Sequence, residues 1–225
     1  MVPALEKILA ATKSMVFFGG AGVSTESGIP DFRSVDGLYH QKFKYPPETM
    51  LSHTFYETHT AEFFDFYRQK LIVHGAKPNA AHLRLAALER EGKCRAVVTQ
   101  NIDGLHQAAG SKTVYELHGS TLRNYCTRCG KFFPVQFIED AAGVGDGVPR
   151  CDECGGIVKP DVVLYEEGLD EETMENAVHA IRGADTLIVG GTSLAVYPAA
   201  GLLRYFRGEN LVVINKQPTP ADAMA

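Results

Sequence analysis

The chain has 225 residues, of which 45% are hydrophobic and 22% are charged, so it can bury the core of one large domain or of two unequal ones. Its formal net charge of -5 at pH 7 provides no overall basic field, which disfavours direct binding of nucleic acid or of an anionic membrane surface. No run approaches the roughly 20 apolar residues that would cross a bilayer, and residues 1–12 lack the features of a secretory signal. We therefore expect a cytoplasmic protein whose thiols are kept reduced.

Short apolar, β-branched runs alternate with helical patterns along the chain. Such runs are typical of strands that are buried on both faces of a parallel sheet. The repetition of strand and helix predicts an open α/β sheet with helices on both faces. The runs are 15–18, 96–99, 162–165, 186–189 and 211–214.

A glycine-rich turn, residues 19–33, follows the first of these strands. Small residues at a strand-to-helix turn let backbone N–H groups approach a pyrophosphate. The full GxGxxG spacing is absent, and glycines at strand ends often serve packing alone, so the turn by itself leaves both interpretations open. Asp31, Phe32 and Arg33 add an acid, an aromatic face and a guanidinium to the same loop.

Residues 34–77 interrupt the alternation of strands and helices. Aromatic residues recur there at roughly helical spacing, so we interpret the segment as an inserted helical module. Core packing is the role we expect for most of the stripe. Its members are Phe55, Phe63, Phe64, Phe66 and Tyr67.

The next helix is predicted to span residues 79–91. Asn79 follows a proline and is a favourable N-cap residue. Leu83, Leu85 and Leu88 should form the apolar face of this helix.

Two polar clusters follow the next β-like runs. Gln100, Asn101 and Asp103 come directly after the strand 96–99, at the edge of an open α/β sheet where ligands bind. His118 follows the short run 114–117. Each of these residues alone is better explained as a helix cap, an Asx turn or a hydrogen-bonded structural histidine. Their grouping at strand ends favours a site.

Four of the five cysteines form two CxxC pairs, with 21 residues between Cys129 and Cys151. Two such pairs can place four thiolates around one zinc ion, in the closed tetrahedral arrangement of a structural site. A redox CxxC motif is the alternative, but it would need only one pair. The predicted ligands are Cys126, Cys129, Cys151 and Cys154, whereas the isolated Cys94 is expected to be a small buried hydrophobic residue.

The C-terminal part continues the alternation. A helix is predicted over residues 170–182, with Asp170 as its N-cap. Gly191, Thr192 and Ser193 then follow the fourth predicted strand, and Asn215 follows the fifth. These loops should therefore converge with the earlier polar clusters at one edge of the sheet.

This set of motifs resembles the sirtuin family, from the first strand nearly to the last residue, and the order of the motifs makes the resemblance specific. The matching motifs are GAG at 20–22, SGIPDFR at 27–33, TQNID at 99–103, HG at 118–119, the two CxxC pairs, PDVV at 160–163 and GTSLAVYPA at 191–199.

The resemblance implies a Rossmann-like large domain made of residues 1–33, 78–121 and 160–225. It implies a small domain made of a helical module, 34–77, and a zinc module, 122–159. NAD and an acetylated lysine of a protein or peptide would bind in the cleft between the domains. The implied activity is NAD-dependent protein lysine deacetylation, in which NAD is consumed and nicotinamide, the free lysine and acetyl-ADP-ribose are formed.

The resemblance also implies roles for individual residues. His118 would be the general base, and an unperturbed imidazole pKa of about 6.5 suits that role near neutral pH. Asn101 would shape the pocket around the reacting ribose. The residues expected to contact NAD are Gly20, Ala21, Gly22, Thr25, Asp31, Phe32, Arg33, Gln100, Ile102, Asp103, Gly191, Thr192, Ser193, Asn215 and Lys216. The residues expected to contact the peptide are Tyr67, Lys70, Val162, Val163, Leu164 and Tyr165.

The chain departs from the family pattern in ways that bear on the substrate. The sequence from Tyr165 to Glu167 stands where the family often has FGE, and the added carboxylate predicts a preference for basic residues beside the target lysine. Members that remove acidic acyl groups carry a tyrosine followed three positions later by an arginine. Tyr67 fits that pattern, but Lys70 lacks the bidentate fork of arginine, so deacetylation should be much faster than desuccinylation.

Two further departures concern the cofactor. Ser34 replaces a common glycine after the DFR sequence, which should alter that loop slightly. The chain ends at Ala225, soon after Asn215, whereas relatives continue through sequence that helps to close the adenine end of the site. We therefore expect either that adenine binds more weakly or that the chain is truncated.

Three rival functions remain open at this point. The sheet and the glycine turn alone would also suit an NAD dehydrogenase, which would produce NADH. The cysteine module alone would suit a noncatalytic zinc-ribbon binding module. Mono-ADP-ribosyl transfer would use the same residues as deacylation, and only product analysis separates the two.

Overall fold

Two β-sheets of different kinds organise the chain. The structure, a computed structural model, describes residues 3–32, 37 and 43–225. Arg33 and Ser34, which were singled out above, lie outside the described residues. The strands are β1 (Met15–Gly19), β2 (Cys94–Thr99), β3 (Val114–Glu116), β4 (Gly119–Cys126), β5 (Phe132–Pro134), β6 (Val158–Val162), β7 (Thr186–Gly190) and β8 (Asn210–Ile214).

Helices surround both sheets. Short 3-10 helices follow β1 and precede β8, at Ala21–Val23, Thr25–Ser27 and Ala199–Tyr205. No helix in the described part of the chain combines the length and the apolar character needed to cross a membrane. The α-helices are α1 (Pro3–Ala11), α2 (Pro47–Met50), α3 (His53–Thr58), α4 (Thr60–Lys70), α5 (Ala80–Arg90), α6 (Leu105–Ala108), α7 (Val135–Asp140) and α8 (Glu171–Arg182).

The larger sheet is parallel and has the strand order β3-β2-β1-β7-β8. Successive side chains of a strand point to opposite faces, so β1 serves two cores. Val16 and Phe18 pack in a cluster that includes Ile181 of α8. Met15 and Phe17 pack in another that includes Leu85 and Leu88 of α5. The predicted α/β sheet with helices on both faces is confirmed.

One predicted strand was assigned to the wrong sheet. Residues 162–165 do not belong to the parallel sheet; β6 ends at Val162 and pairs antiparallel with β4. The fifth parallel strand is instead β3, which pairs with β2. The apolar run continues beyond β6 because Leu164 is buried in the core of the smaller sheet, so hydrophobicity alone could not tell which sheet the run joins.

The predicted helix caps are confirmed. The Asn79 side chain accepts from the backbone N–H groups of Ala81 and His82, and α5 follows it. The Asp170 side chain likewise accepts from Thr173 N at the start of α8. The predicted apolar face of α5 was partly wrong, because Leu83 is 52% exposed.

The predicted aromatic stripe is buried, as expected. Its five members are at most 4% exposed, and they share one hydrophobic cluster with Cys126, Ile138 and Val158. Helices α3 and α4 and the antiparallel sheet β5-β4-β6 are therefore packed around a common core. This core is separate from the two clusters that flank the parallel sheet.

Candidate active site and metal centre

The order of the parallel strands places one candidate site at their carboxyl ends. The chain leaves β1 toward β2 on one side, while β7 lies on the other side of β1. Such a reversal of strand order opens a crevice in which α/β proteins bind ligands. The turn after β1, residues 100–103 after β2, and the turn after β7 all lie at this edge.

The glycine turn packs tightly against the turn after β7. Gly22 N donates to Gly191 O at 2.8 Å. A Cβ atom on Gly22 would lie 2.9 Å from the Gly191 backbone, and one on Gly20 would lie 2.8 Å from Thr192 Cβ. These two glycines are therefore required by packing between the turns, which was one of the two interpretations of the sequence.

Three polar side chains are joined behind the turn. Ser24 Oγ donates to Asp103 Oδ2 at 2.6 Å, and Asn101 Nδ2 donates to Ser24 Oγ at 3.0 Å. Ser24 is 1% exposed and Asn101 8% exposed. Ser24 was missed in the sequence because one serine in a glycine-rich turn is typical of ordinary turn chemistry. Its spacing from Ser27 in the same turn did not indicate these contacts either.

A second group links three strand ends. Gln100 Nε2 donates to Thr192 Oγ1 at 2.9 Å, which spans the end of β1 between β2 and β7. His118 Nδ1 lies 3.0 Å from Gln100 O. A carbonyl oxygen can only accept, so Nδ1 carries the hydrogen and Nε2 is the basic nitrogen. The ring is thus held in the tautomer that leaves Nε2 able to accept a proton.

The environment of His118 favours its neutral form. Burial lowers the pKa of the imidazole below its ordinary value of 6.5, and the hydrogen bond to the Gln100 backbone opposes this effect in part. A neutral imidazole near physiological pH is the form that a general base requires.

The remaining residues proposed to contact NAD differ in burial and in their contacts. Ile102 and Phe32 are half-buried and pack against the aromatic core. Thr25 is exposed, and its hydroxyl donates to Gly22 O. Three of the expected NAD contacts are exposed and make no hydrogen bond to the polar groups above among the described residues, although one of them directly follows Thr192. These residues are Ser193, Asn215 and Lys216.

The segment expected to hold a peptide borders His118. Val163 N donates to His118 O at 3.0 Å, while Val162 and Leu164 are buried. Tyr165 N and O are already paired with Leu51 O and His53 N. The backbone of Tyr165 is therefore engaged on the α3 side, and its side chain is 37% exposed.

The two residues proposed to select the acyl group differ in environment. Tyr67 is fully buried, and its hydroxyl has no hydrogen-bond partner among the described residues. Burial, with a smaller effect of Asp161, raises the pKa of this hydroxyl far above its usual value. Lys70 Nζ lies 5.3 Å from the centroid of the Phe43 ring.

The four cysteines of the CxxC pairs come together as the sequence predicted. Their Sγ atoms all lie within 4.8 Å of one another, and two of the separations are 3.3 and 3.7 Å. Zinc–thiolate bonds of about 2.3 Å in a tetrahedron require sulfur atoms roughly 3.8 Å apart, so the cluster fits one zinc ion. Gly156 is required here, because a Cβ atom would lie 2.9 Å from Cys126 Sγ. Cys94 stands apart and is 3% exposed.

A parallel sheet with polar strand ends at its switch point, joined to a four-thiolate metal module, defines an α/β protein built to bind a ligand at that edge. The family model of the Sir2 family matches residues 20–198. The chain belongs to the Sir2 family.

Two bacterial relatives illustrate the similarity in sequence. The NAD-dependent protein deacetylase of Clostridium acetobutylicum is 64% identical over 220 residues, which are 97% of this chain and 89% of the relative. The protein of the same description from Clostridium perfringens is 59% identical over 224 residues, covering 98% of this chain and 90% of the relative.

Solved structures agree with the fold. A Sir2 protein with a p53 peptide and NAD+ superimposes with a TM-score of 0.88 at 39% identity, covering all of this chain and 90% of the other. A Sir2 complex with a deacetylated p53 peptide and 3'-O-acetyl ADP-ribose gives a TM-score of 0.90 at 39% identity, covering 99% and 89% of the two chains.

Proposed function

We propose that this chain is an NAD-dependent protein lysine deacetylase. In the reaction the acetyl-lysine amide, NAD and water yield free lysine, O-acetyl-ADP-ribose and nicotinamide. The observation that carries the proposal is the position of His118. Its Nδ1 is fixed by Gln100 O, and its own carbonyl accepts from Val163 N, so His118 is bonded both to the end of β2 and to the segment proposed to hold the peptide, which supports its role as the base.

The residues at the strand ends divide the work of the reaction. Cleavage of the nicotinamide glycosidic bond develops positive charge on the ribose, so the site must orient the acyl oxygen and exclude water. Asp103, held by Ser24 and by Leu105 N, accepts from the nicotinamide carboxamide. Phe32 shields the ribose, and His118 takes a proton from a ribose hydroxyl. Asn101 is held beside them by Ser24.

The remaining assignments follow the same division. The other proposed NAD contacts surround this centre, and the four cysteines hold one structural zinc ion that takes no part in the chemistry. We place the large domain at 1–33, 78–121 and 160–225, with the helical module and zinc module between these segments. Reduced thiols in the cluster favour the cytoplasm as the place of action.

Acetyl groups are the preferred acyl substrate in this proposal. Tyr67 is enclosed by the aromatic core, and Lys70 presents a point charge where a bidentate fork would grip a carboxylate. Deacetylation should therefore exceed desuccinylation on otherwise identical peptides. Comparable rates on the two peptides would overturn this part of the proposal.

Product analysis tests the function directly. The protein is incubated with NAD and an acetyl-lysine peptide, and mass spectrometry follows the peptide and acetyl-ADP-ribose together. We expect the peptide to lose the mass of one acetyl group and an equal amount of acetyl-ADP-ribose to form. ADP-ribosylated protein without deacetylation would instead identify a mono-ADP-ribosyltransferase, and NADH absorbance would identify a dehydrogenase.

A further inference from the structure

The segment 163–167 follows the end of β6 and is here termed the substrate strand, because it is proposed to pair with the peptide. It contains a residue in an unusual backbone conformation. Glu166 has φ +77°, in the left-handed region that residues with a side chain rarely adopt. Glycine adopts this conformation freely, whereas a residue with a Cβ atom does so at a cost in free energy. A glutamate here is therefore held against its backbone preference.

The side chain of Glu166 makes contacts that a glycine could not make. Its Oε2 accepts from Thr54 N at 2.9 Å and from Thr54 Oγ1 at 2.7 Å. The first N–H groups of a helix have no partner within the helix, and Thr54 lies in the first turn of α3. The hydrogen bonds from Thr54 lower the pKa of the Glu166 carboxyl, so the group is charged at neutral pH.

The same part of α3 also binds the backbone of the substrate strand. His53 N donates to Tyr165 O and Tyr165 N donates to Leu51 O, each at 3.0 Å. Glu167 adds a second side-chain link, because its carboxylate accepts from Leu164 N at 2.8 Å and lies 2.8 Å from His53 Nδ1. One side of the substrate strand is thus attached to the start of α3.

Resting on the proposed function, we propose that Glu166 is a positioning residue that fastens the substrate strand to α3 in the orientation needed to pair with an acetyl-lysine peptide. A strand that is already ordered loses less conformational entropy when a peptide pairs with it. Glu166 therefore acts on the affinity for the peptide, through Thr54, and leaves the chemical step at His118 unchanged.

The contacts argue against a direct role of the Glu166 charge. A carboxylate that caps a helix is oriented toward the helix and is partly neutralised by its N–H groups. The preference for basic flanking residues inferred from the sequence required a carboxylate aimed at the peptide. Glu166→Gln removes the charge but keeps a hydrogen-bond acceptor. It should preserve peptide binding if Glu166 positions the substrate strand, and it should weaken the preference for basic peptides if the charge acts directly.

Steady-state kinetics on four variants separate these roles. Glu166→Ala keeps the strained backbone position but removes the acceptor, and we expect KM for the peptide to rise about fivefold with kcat and KM for NAD unchanged, as for the loss of a helix cap. Glu166→Gln keeps an acceptor oxygen and should stay within about twofold of the wild type. Thr54→Val should raise KM for the peptide, and should add nothing to Glu166→Ala in the double variant.

Two controls complete the experiment. Glu175→Gln removes an exposed carboxylate of α8 and should leave all three kinetic constants unchanged. Glu166→Gly removes the side chain and also relieves the strain of the positive φ angle. It therefore reports the loss of the contact with Thr54 even if the alanine variant folds poorly. Hydrogen exchange at the amides of His53 and Tyr165, measured without substrate, should rise in the alanine and glycine variants.

The outcomes distinguish this proposal from the function on which it rests. Wild-type protein without deacetylase activity would refute the proposed function, while the hydrogen-exchange comparison would still report on the contact. Unchanged peptide KM and unchanged exchange in Glu166→Ala would overturn the positioning role. Loss of discrimination between basic and acidic peptides in Glu166→Gln, with normal behaviour of Thr54→Val, would also overturn it in favour of a direct charge effect.

Discussion

At the scale of single residues, the burial of the His118 ring predicts how the reaction rate depends on pH. Burial lowers the pKa of His118 below 6.5, and a general base works in its neutral form. The acid limb of kcat/KM for NAD, which reports the free enzyme, should therefore have its midpoint below pH 6.5. His118→Ala should reduce kcat by about 100-fold or more.

Rate measurements between pH 5 and 9 check this prediction. The binding of NAD to His118→Ala, measured by calorimetry, serves as the control that the crevice is intact. A midpoint at or above the ordinary imidazole value would show that His118 is not the group that titrates, or that burial does not govern its protonation.

A buried histidine pair predicts how stability depends on pH. His82 and His106 are 0% and 1% exposed, with ring centroids 4.7 Å apart. Burial lowers the pKa of both, that of His106 to about 3. In the unfolded chain the histidines have the ordinary pKa of 6.5, so below that pH the unfolded chain binds more protons than the folded protein. The free energy of unfolding is therefore highest above pH 6.5 and decreases as the pH falls toward 3. The decrease is about 1.4 kcal/mol per pH unit for each histidine that stays neutral in the folded protein.

Replacing one member of the pair isolates this effect. His106→Leu should flatten the fall in unfolding free energy between pH 7 and 5, as measured by urea denaturation, whatever its effect at pH 7. The wild type, measured over the same pH range, is the reference. An unchanged slope in His106→Leu would mean that other groups cause the acid sensitivity.

The sequence predicted the residues of the candidate site only where a polar motif comes at the end of a predicted strand. Gln100, Asn101 and His118 each follow a β-like run directly, so their place at the sheet edge could be inferred. Ser24 could not, because its two contacts, with Asn101 and Asp103, reach across 77 to 79 positions of the chain. A turn serine without such a partner has the same local sequence.

At the scale of elements, Asn79 joins helix α5 to the glycine turn. Its Oδ1 caps the helix, and its Nδ2 donates to Val23 O at 2.7 Å and to Ser27 Oγ at 3.0 Å. Asn79→Asp should keep the cap and lose the donor, so KM for NAD should rise about threefold with little change in stability. Asn79→Ala should lose both and destabilise the protein by about 1 kcal/mol.

Urea denaturation and NAD kinetics on both variants measure the two effects separately. Asp170→Ala is the matched control, because it removes the N-cap of α8, which packs on the opposite face of the parallel sheet from α5. It should reduce stability and leave KM for NAD alone. If Asn79→Asp binds NAD normally, the glycine turn does not depend on this contact.

The strands show where sequence periodicity is sufficient and where it fails. Four of the predicted runs match β1, β2, β7 and β8. Strands β1, β2 and β7 are almost entirely buried, and strands buried on both faces are apolar throughout. The edge strand β8 is only partly buried, although its run is equally apolar. Residues 162–165 have the same appearance, yet they follow a strand that pairs antiparallel with β4. Hydrophobicity measures burial, and burial in the aromatic core looks the same in the sequence as burial in the parallel sheet.

At the scale of the whole molecule, the metal module and the helical module share one core. Cys126 and Cys151 belong to the same buried cluster as Phe63 and Tyr67. Arg68 of α4 also donates to Gly147 O at 2.9 Å, within the segment between the cysteine pairs. Structural zinc stabilises the fold around it because its ligands are brought together only in the folded state. Disturbance of the metal should therefore spread to α4.

Zinc removal tests this coupling. The wild type should contain about one zinc ion per chain, and a chelator should abolish deacetylation while hydrogen exchange rises in β4, β6 and α4 and stays low in β1 and β7. Cys129→Ser should bind zinc poorly and behave like the chelated protein, whereas Cys94→Ala, outside the cluster, should retain the ion. Because the parallel sheet has its own two cores, its strands should stay protected after the smaller core has loosened. Exchange that rose only at the cysteine pairs would show that the shared core is stable without the metal, and exchange that rose equally in both sheets would show that the molecule unfolds as one unit.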